Sequence, residues 1–282
     1  MTRSPRLCLV AILLLCSAPF ARLHAQASAI PSAQTIDPND PTAARKLLDQ
    51  MIAALGGPAW LNRIDFSATG QSATFYKSNP NPYVTVFEQY LRFQPFGERR
   101  IIVSKQGVFI PTTKRDVAEI WTTDSGYEVT YKGKKQLPQK DIDEFFRNRR
   151  HSLETVVHDW LPQPGVLINY EGTELVGRRL ADKVGILTTS NDGAELSLDE
   201  STHLPLSLSF QYRDPVYHDI DTDVLQYDDY HPIEGIMTPL TLTRLHNGDM
   251  VAQIFLKDVH YNKHFPPDLF DPNRPLKKSA KK

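Results

Sequence analysis

From Val166 to Asn262 the sequence reads as a run of β-strands with no helical pattern between them, and this feature constrains the fold most. Its clearest strand, Leu204–Tyr212, has an apolar or aromatic residue at every even position and Pro, Ser or Gln at the positions between. Alternation with a period of two predicts one dry and one wet face. The dry face of such a sheet must be covered by helices, closed on itself or filled by a ligand.

The first 25 residues are typical of a secretory signal peptide. Arg3 and Arg6 precede an apolar run over residues 7–16, and small residues follow up to Ala25. That run is too short to cross a bilayer comfortably. We therefore expect an exported, periplasmic protein with no membrane span in its mature chain, and with a flexible leader over residues 26–40.

Charge and cysteine content exclude several function classes. Both cysteines, Cys8 and Cys16, lie in the expected signal peptide, so the mature chain would have no disulfide, thiolate nucleophile or cysteine-ligated metal. Removal of the three arginines in that segment leaves 29 basic against 33 acidic residues. This mild acidity argues against nucleic acid as a partner. The lysine-containing end, residues 273–282, predicts a disordered basic tail.

Two segments have helical patterns. The first has Asp40 as N-cap and Pro41 at the first helical position, carries apolar residues at the spacing of one helix face, and ends at Gly56. The second covers residues 138–161 and is interrupted by a basic run, Arg147–Arg150. Two shorter helices or one kinked helix would both fit.

The strands predict an α+β fold. Hairpin patterns fill residues 65–137, and the Asn-Gly turn at 247–248 is the strongest local hairpin signal. A twisted sheet of many strands tends to curl. We expect one domain over residues 41–272, with a curved antiparallel sheet of about ten strands as a half-open barrel and helices covering its concave face.

Several turns and strand ends are spread over most of this domain: Leu55-Gly56-Gly57, Asp199–Pro205, Tyr227–Tyr230 with Ile233-Glu234-Gly235, and Val259–Asn262 with Leu269-Phe270. Together they resemble exported bacterial proteins of the outer-membrane lipoprotein-sorting, or LolA-like, superfamily. The resemblance implies an incomplete antiparallel barrel around a hydrophobic cavity, with helices as a lid. It also implies a lipid or lipoprotein acyl chain as ligand, bound for carriage or sensing, and an envelope protein as a possible partner.

A cavity for an acyl chain needs little polar chemistry, because each buried methylene contributes about 0.8 kcal/mol. The sequence has no Gly-x-Ser-x-Gly, His-Glu-x-x-His, phosphate-loop or Gly-x-Gly-x-x-Gly motif, which agrees with that function. We expect no catalytic residue, no metal and no cofactor. The candidate cavity residues come from the alternating strand, from later strands and from the second helical segment: Leu206, Leu208, Phe210, Leu240, Leu242, Ile254, Leu256, Phe145, Phe146, Val156 and Trp160.

Two other interpretations stay open at this stage. The Asp- and His-rich segment 214–231 would suit a periplasmic hydrolase, with His231 as its candidate residue. Alternatively, the protein is a structural or interaction module whose sheet is filled by its own helices, and the candidate residues are ordinary core.

Possible metal ligands have simpler interpretations. Asp219, Asp221 and Asp223 resemble the start of a calcium loop, but Val224 stands where the turn needs glycine. We interpret these aspartates as the exposed face of a strand. His151 and His158 are two helical turns apart, too far to share a metal, and are interpreted as surface residues.

Overall fold

The computed structural model describes Asp40, residues 42–107 and 112–274, and Leu276. Of residues 104–107 and 112–116 it describes only the backbone. The expected signal peptide, nearly all of the leader and the tail from Lys277 lie outside the described residues, as does Pro41.

The fold is built on one antiparallel sheet of 13 strands rather than about ten. The strands are β1 (Asp65–Tyr76), β2 (Asn79–Arg92), β3 (Gly97–Gly107), β4 (Thr112–Trp121), β5 (Gly126–Thr130), β6 (Gly133–Gln136), β7 (Leu167–Val176), β8 (Arg179–Leu187), β9 (Gly193–Asp199), β10 (Pro205–Arg213), β11 (Ile220–Ile233), β12 (Ile236–His246) and β13 (Asp249–Tyr261).

The strand order shows how the chain crosses the sheet. It runs β6-β5-β4-β3-β2-β1-β13-β12-β11-β10-β9-β8-β7, so the first and last strands pair at the centre. From β1 the chain winds to one edge at β6, crosses to the other edge at β7 and winds back. The two edge strands do not pair with each other, so the curved sheet is a half-open barrel. The predicted α+β class is confirmed.

Helix α1 (Ala43–Leu55) begins slightly later than the sequence predicts. Thr42 is the N-cap, and the Asp40 carboxylate accepts hydrogen bonds from the Thr42 backbone N–H at 2.8 Å and from its hydroxyl at 2.6 Å. The helix ends at Gly56, which has a φ of 123° and packs so closely on the Gly235 carbonyl that a Cβ would lie 2.5 Å from it. A short helix, α2 (Pro58–Leu61), follows.

The second helical segment lies in the connection between β6 and β7 and forms separate helices. They are α3 (Gln139–Arg150), α4 (Leu153–Thr155) and a π-helical turn, Val156–Trp160. The chain breaks at Ser152, whose hydroxyl accepts the Thr155 N–H at 3.2 Å and caps α4. Of the two predicted forms, shorter helices are therefore the observed one.

The main core lies between the helices and the later strands. Leu48 and Met51 of α1 and Val156 of the π-helical turn are fully buried in one cluster with Leu196 and Leu208. A smaller cluster of Ala118, Ile120 and Val129 lies elsewhere in the sheet, packed against Leu276. Helices therefore fill much of the concave face of the later half of the sheet, β7 to β13, with protein side chains.

The wet face predicted for β10 is only partly wet. Gln211 is exposed, but Ser207 is buried and donates a hydrogen bond to Ser197 at 3.0 Å. The Ser197 hydroxyl in turn donates to Glu174 of the edge strand β7 at 2.5 Å. A chain of hydrogen bonds thus satisfies polar groups on a face where the sequence pattern predicts solvent.

Candidate functional site

A cavity of about 850 Å³ lies between α3 and the concave face of the sheet. Its walls come from both halves of the sheet and from the helical crossing. The lining residues are Thr74, Gln89, Leu91, Phe93, Glu98, Glu119, Trp121, Leu137, Asp141, Glu144, Phe145, Asn148, Arg149, His151, Ser152, Glu154, Leu208, Phe210, Asp223, Val224, Leu225, Leu242, Arg244 and Ile254.

The later half of the sheet supplies an apolar wall. Leu208 and Phe210 of β10, Leu242 of β12 and Ile254 of β13 line the cavity, as does Phe145 of α3. These five belong to the candidate set that the sequence predicts. Leu242 and Ile254 are adjacent across strands, since they pair in the ladder of β12 and β13.

The other six candidates lie outside the cavity lining. Val156, Trp160 and Leu256 are buried in the main core, and Leu206 is buried at a bulge of β10. Leu240 is partly buried against the same core, and Phe146 packs edge-on to Phe145 and Trp121. An apolar row in the sequence predicts burial, but it does not show whether the side chains line a cavity or fill a core.

The earlier half of the sheet, β1 to β6, lines the cavity with polar side chains that the sequence analysis did not predict, among them Gln89 and Glu98. The carboxylate of Glu98 accepts a hydrogen bond from the Gln89 side chain at 2.8 Å, and burial raises the pKa of Glu98. Arg100 of the same strand lies outside the cavity lining, where it stacks on the Phe87 ring at 3.9 Å and donates to the Ser72 hydroxyl at 2.9 Å. Burial lowers the pKa of Arg100. The cavity is therefore amphipathic, since both apolar and charged side chains line it.

Helix α3 is held to this earlier half by aromatic rings. The Phe145 and Trp121 rings stack with centroids 3.8 Å apart and planes 4° apart. Gly126 lies opposite Trp121 in the ladder of β4 and β5, and a Cβ there would overlap the indole ring. The glycine therefore lets Trp121 lie flat as a platform for Phe145.

On its other side α3 contacts the later half of the sheet through charged groups. Glu144 forms an ion pair with Arg244 of β12 at 3.6 Å. The Arg147 guanidinium lies 3.8 Å from the Tyr212 ring centroid. Ile142 is the one fully buried residue of this helix. The helix thus spans the cavity as a wall attached at two sides with little apolar burial of its own.

His151 is a cavity residue, and its interpretation as a surface residue is wrong. Its ring is 5% exposed and stacks on Phe210 with centroids 4.0 Å apart. Its Nδ1–H donates to the Arg147 carbonyl at 2.8 Å. Burial lowers the pKa of His151, which favours the neutral ring. His158 is exposed as expected and stacks on Trp60.

The aspartates of the calcium-like segment are only partly exposed. Asp223 is nearly buried, lines the cavity and accepts a hydrogen bond from His246 at 2.8 Å, so its predicted place on a wet face is wrong. Asp221 is half-buried, and Asp219 is exposed. Within the described part of the chain, no group of three or more His, Cys, Asp or Glu side chains is arranged to hold a metal ion.

His231, the candidate residue for a hydrolase, lies on the surface, whereas Asp223 of the same segment lines the cavity. His231 and Asp229 pair at 2.9 Å, and both side chains are more than half exposed. Neither residue lines the large cavity. Of the helices in the described ranges, none is both long and apolar enough to cross a bilayer.

Comparison with known proteins identifies the fold. No protein-family model and no curated protein sequence matches this chain. An outer membrane lipoprotein-sorting protein domain from Vibrio parahaemolyticus has a similar structure, with 12% identity, a TM-score of 0.53, and coverage of 83% of this chain and 98% of its own. The fold is LolA-like.

Other solved structures are similar to this LolA-like chain. A DUF1329 family protein from Desulfovibrio piger has 10% identity and a TM-score of 0.52, over 83% of this chain and 98% of its own. A LolA superfamily protein from Nitrosomonas europaea has 10% identity and a TM-score of 0.46, over 81% and 97%. The two structures with TM-scores above 0.5 confirm the fold implied by the sequence resemblance.

Proposed function

We propose that this LolA-like protein binds an acyl chain of a lipid or lipoprotein without covalent chemistry, as a carrier or sensor in the periplasm. The observation that carries the proposal is the cavity of about 850 Å³ under α3, which the protein's own side chains leave unfilled. Its volume falls in the upper part of the range for ligand pockets, roughly 300–1,000 Å³. The expected signal peptide supports the periplasmic location.

The apolar wall can supply useful affinity. Burial of about twelve methylenes at about 0.8 kcal/mol each gives about 10 kcal/mol before the cost of association. Leu225, Leu242 and Ile254 are only half-buried, so their surfaces are available for such contact. The lipoprotein-sorting protein domain from Vibrio parahaemolyticus shares this fold, which supports the same class of ligand here.

A substitution that fills the cavity tests the proposal. Ile254→Trp places an indole ring among the lining residues of β13. If the ring displaces about three methylenes of ligand, affinity for an acyl chain falls about 50-fold. The measurement is fluorescence titration with a labelled fatty acid, together with urea denaturation to verify the fold.

Phe255→Trp is the matched control. Phe255 is the next residue of the same strand, points to the opposite face and is 41% exposed. We expect its variant to bind the labelled fatty acid as the wild type does. Equal binding by both variants and the wild type would show that the ligand does not occupy this cavity.

Native mass spectrometry after mild purification from the envelope separates the remaining interpretations. Co-purified lipid that is released by organic extraction supports the carrier. A chain that neither retains lipid nor binds the labelled fatty acid would instead fit a structural module.

A further inference from the structure

A second pocket of about 400 Å³ adjoins the large cavity, and its lining is mostly polar. Asn62, Arg63, His158 and Asp159 contribute to it. Phe93, Arg149 and Glu154 line both pockets, so they mark the boundary between them. An amphiphile with its tail in the large cavity would place its polar head at this boundary.

Arg149 is the boundary residue with free hydrogen-bonding capacity. Its guanidinium lies 3.5 Å from the Phe96 ring centroid, which fixes one face of the group. Among the described residues, no hydrogen bond or ion pair engages its N–H groups. Nearby Arg63 differs, because it donates to the Trp60 carbonyl at 2.8 Å and pairs with Glu154 at 3.2 Å. The five N–H donors of Arg149 are therefore available to the acceptor of a bound ligand.

The carboxylates near Arg149 are already engaged or solvated. Glu154 is held by Arg63, and Glu98 accepts from Gln89 at 2.8 Å. Asp159 also faces the polar pocket but is exposed to solvent, which screens its charge. Burial lowers the pKa of Arg149, so the charged form has poor solvation that an anionic ligand would offset.

We propose that Arg149 binds the oxyanion head, a carboxylate or a phosphate monoester, of an amphiphile whose hydrocarbon tail occupies the large cavity. This inference rests on the proposed function. A planar guanidinium matches both oxyanions through paired N–H donors, and the ring of Phe96 orients it. The opposite, apolar wall at Leu242 and Ile254 receives the tail.

Ligands with one tail and different heads test this assignment. Dodecanoate, dodecyl phosphate and neutral dodecanol compete against the uncharged fluorophore N-phenyl-1-naphthylamine on the purified protein. The variants are Arg149→Gln and Arg149→Lys. Arg150→Gln is the matched control, because Arg150 lies in the same helical turn but is 59% exposed and faces Asp192.

We expect Arg149→Gln to weaken both anionic ligands about 10- to 100-fold while changing dodecanol less than about twofold. Arg149→Lys keeps the charge but loses the paired donors, so its loss is smaller. Arg150→Gln binds all three ligands as the wild type does. An equal loss for dodecanol in Arg149→Gln would overturn the proposal and assign Arg149 a structural role in the wall. Unchanged affinity for both anions would also overturn it.

Inorganic phosphate alone distinguishes a lipid head from a free anion. We expect it to displace neither the fluorophore nor dodecyl phosphate at millimolar concentration, because it has no tail to bury. If inorganic phosphate displaced dodecyl phosphate at concentrations comparable to the Kd of dodecyl phosphate, the site would be one for a free anion. That result would contradict an amphiphile as ligand. Failure of all three amphiphiles to bind the wild type would instead refute the proposed function.

Discussion

Removal of the Phe145 ring tests whether α3 can open locally while the rest of the domain stays folded. The Phe145→Ala variant loses the stack on Trp121 and the edge contact with Phe146 at 5.4 Å. It also loses the tilted contact with Phe96 at 6.1 Å. The variant keeps the buried Ile142, the edge contact of Phe146 with Trp121 and the contact of Arg149 with the Phe96 ring.

The expected loss can be worked from these contacts. Full burial of a phenylalanine contributes about 1.5–3 kcal/mol, and half-burial about half of that. The stacked pair adds about 1 kcal/mol beyond burial. Together this is about 1.8–2.5 kcal/mol, which raises the equilibrium for local opening of α3 about 20- to 60-fold.

Hydrogen exchange followed by mass spectrometry measures this opening directly. Peptides that cover α3 should exchange faster in Phe145→Ala by that factor, while peptides from α1 keep wild-type rates because α1 lies in the main core. Phe255→Ala, a change at an exposed ring, should leave both rates unchanged.

Equal acceleration in α1 and α3 would refute this reasoning. It would mean that Phe145 belongs to one cooperative core and that α3 opens only when the whole domain unfolds. In that case opening of α3 alone would not admit a ligand to the cavity.

Two further predictions concern buried carboxylates. Burial raises the folded-state pKa of Glu98 above its unfolded-state value, so the folded state loses stability as pH rises from the unfolded-state pKa to the folded-state pKa. Glu98→Gln should therefore raise Tm at pH 8 but hardly change it at pH 4. A similar effect at both pH values would contradict this titration. The Asp65 carboxylate accepts the backbone N–H of Lys263 at 2.7 Å and of Phe265 at 3.0 Å, so Asp65→Ala should lower the free energy of unfolding by about 2–4 kcal/mol in urea titration. An unchanged midpoint would show that these donors find other acceptors.

The sheet was predictable because its signals are local. Alternation in β10 and the Asn-Gly turn between β12 and β13 each depend on residues close in sequence. The central pairing of β1 with β13 joins residues almost 200 positions apart, and no local pattern encodes it. The predicted strand number was low because short edge strands such as β6 carry only a weak pattern.

The cavity was predictable only on its apolar side. Leu208 and Ile254 belong to apolar rows, and such rows predict burial without showing whether another side chain or a space lies opposite. Glu98, Arg149 and His151 line the cavity, but charged and polar residues by sequence alone are typical of a surface. Their burial follows from the helical crossing that lies over them, which is a property of the tertiary fold.

The unpaired edges of the sheet, β6 and β7, have a mechanical consequence. Strand number and shear fix the radius of a closed barrel. A ribbon with two free borders can flatten or tighten through small changes of twist between neighbours while every ladder hydrogen bond stays intact. We therefore expect the cavity to accommodate ligands with one acyl chain or with several. The thickness of the hydrocarbon would then discriminate poorly between ligands, and selectivity would depend on the polar head.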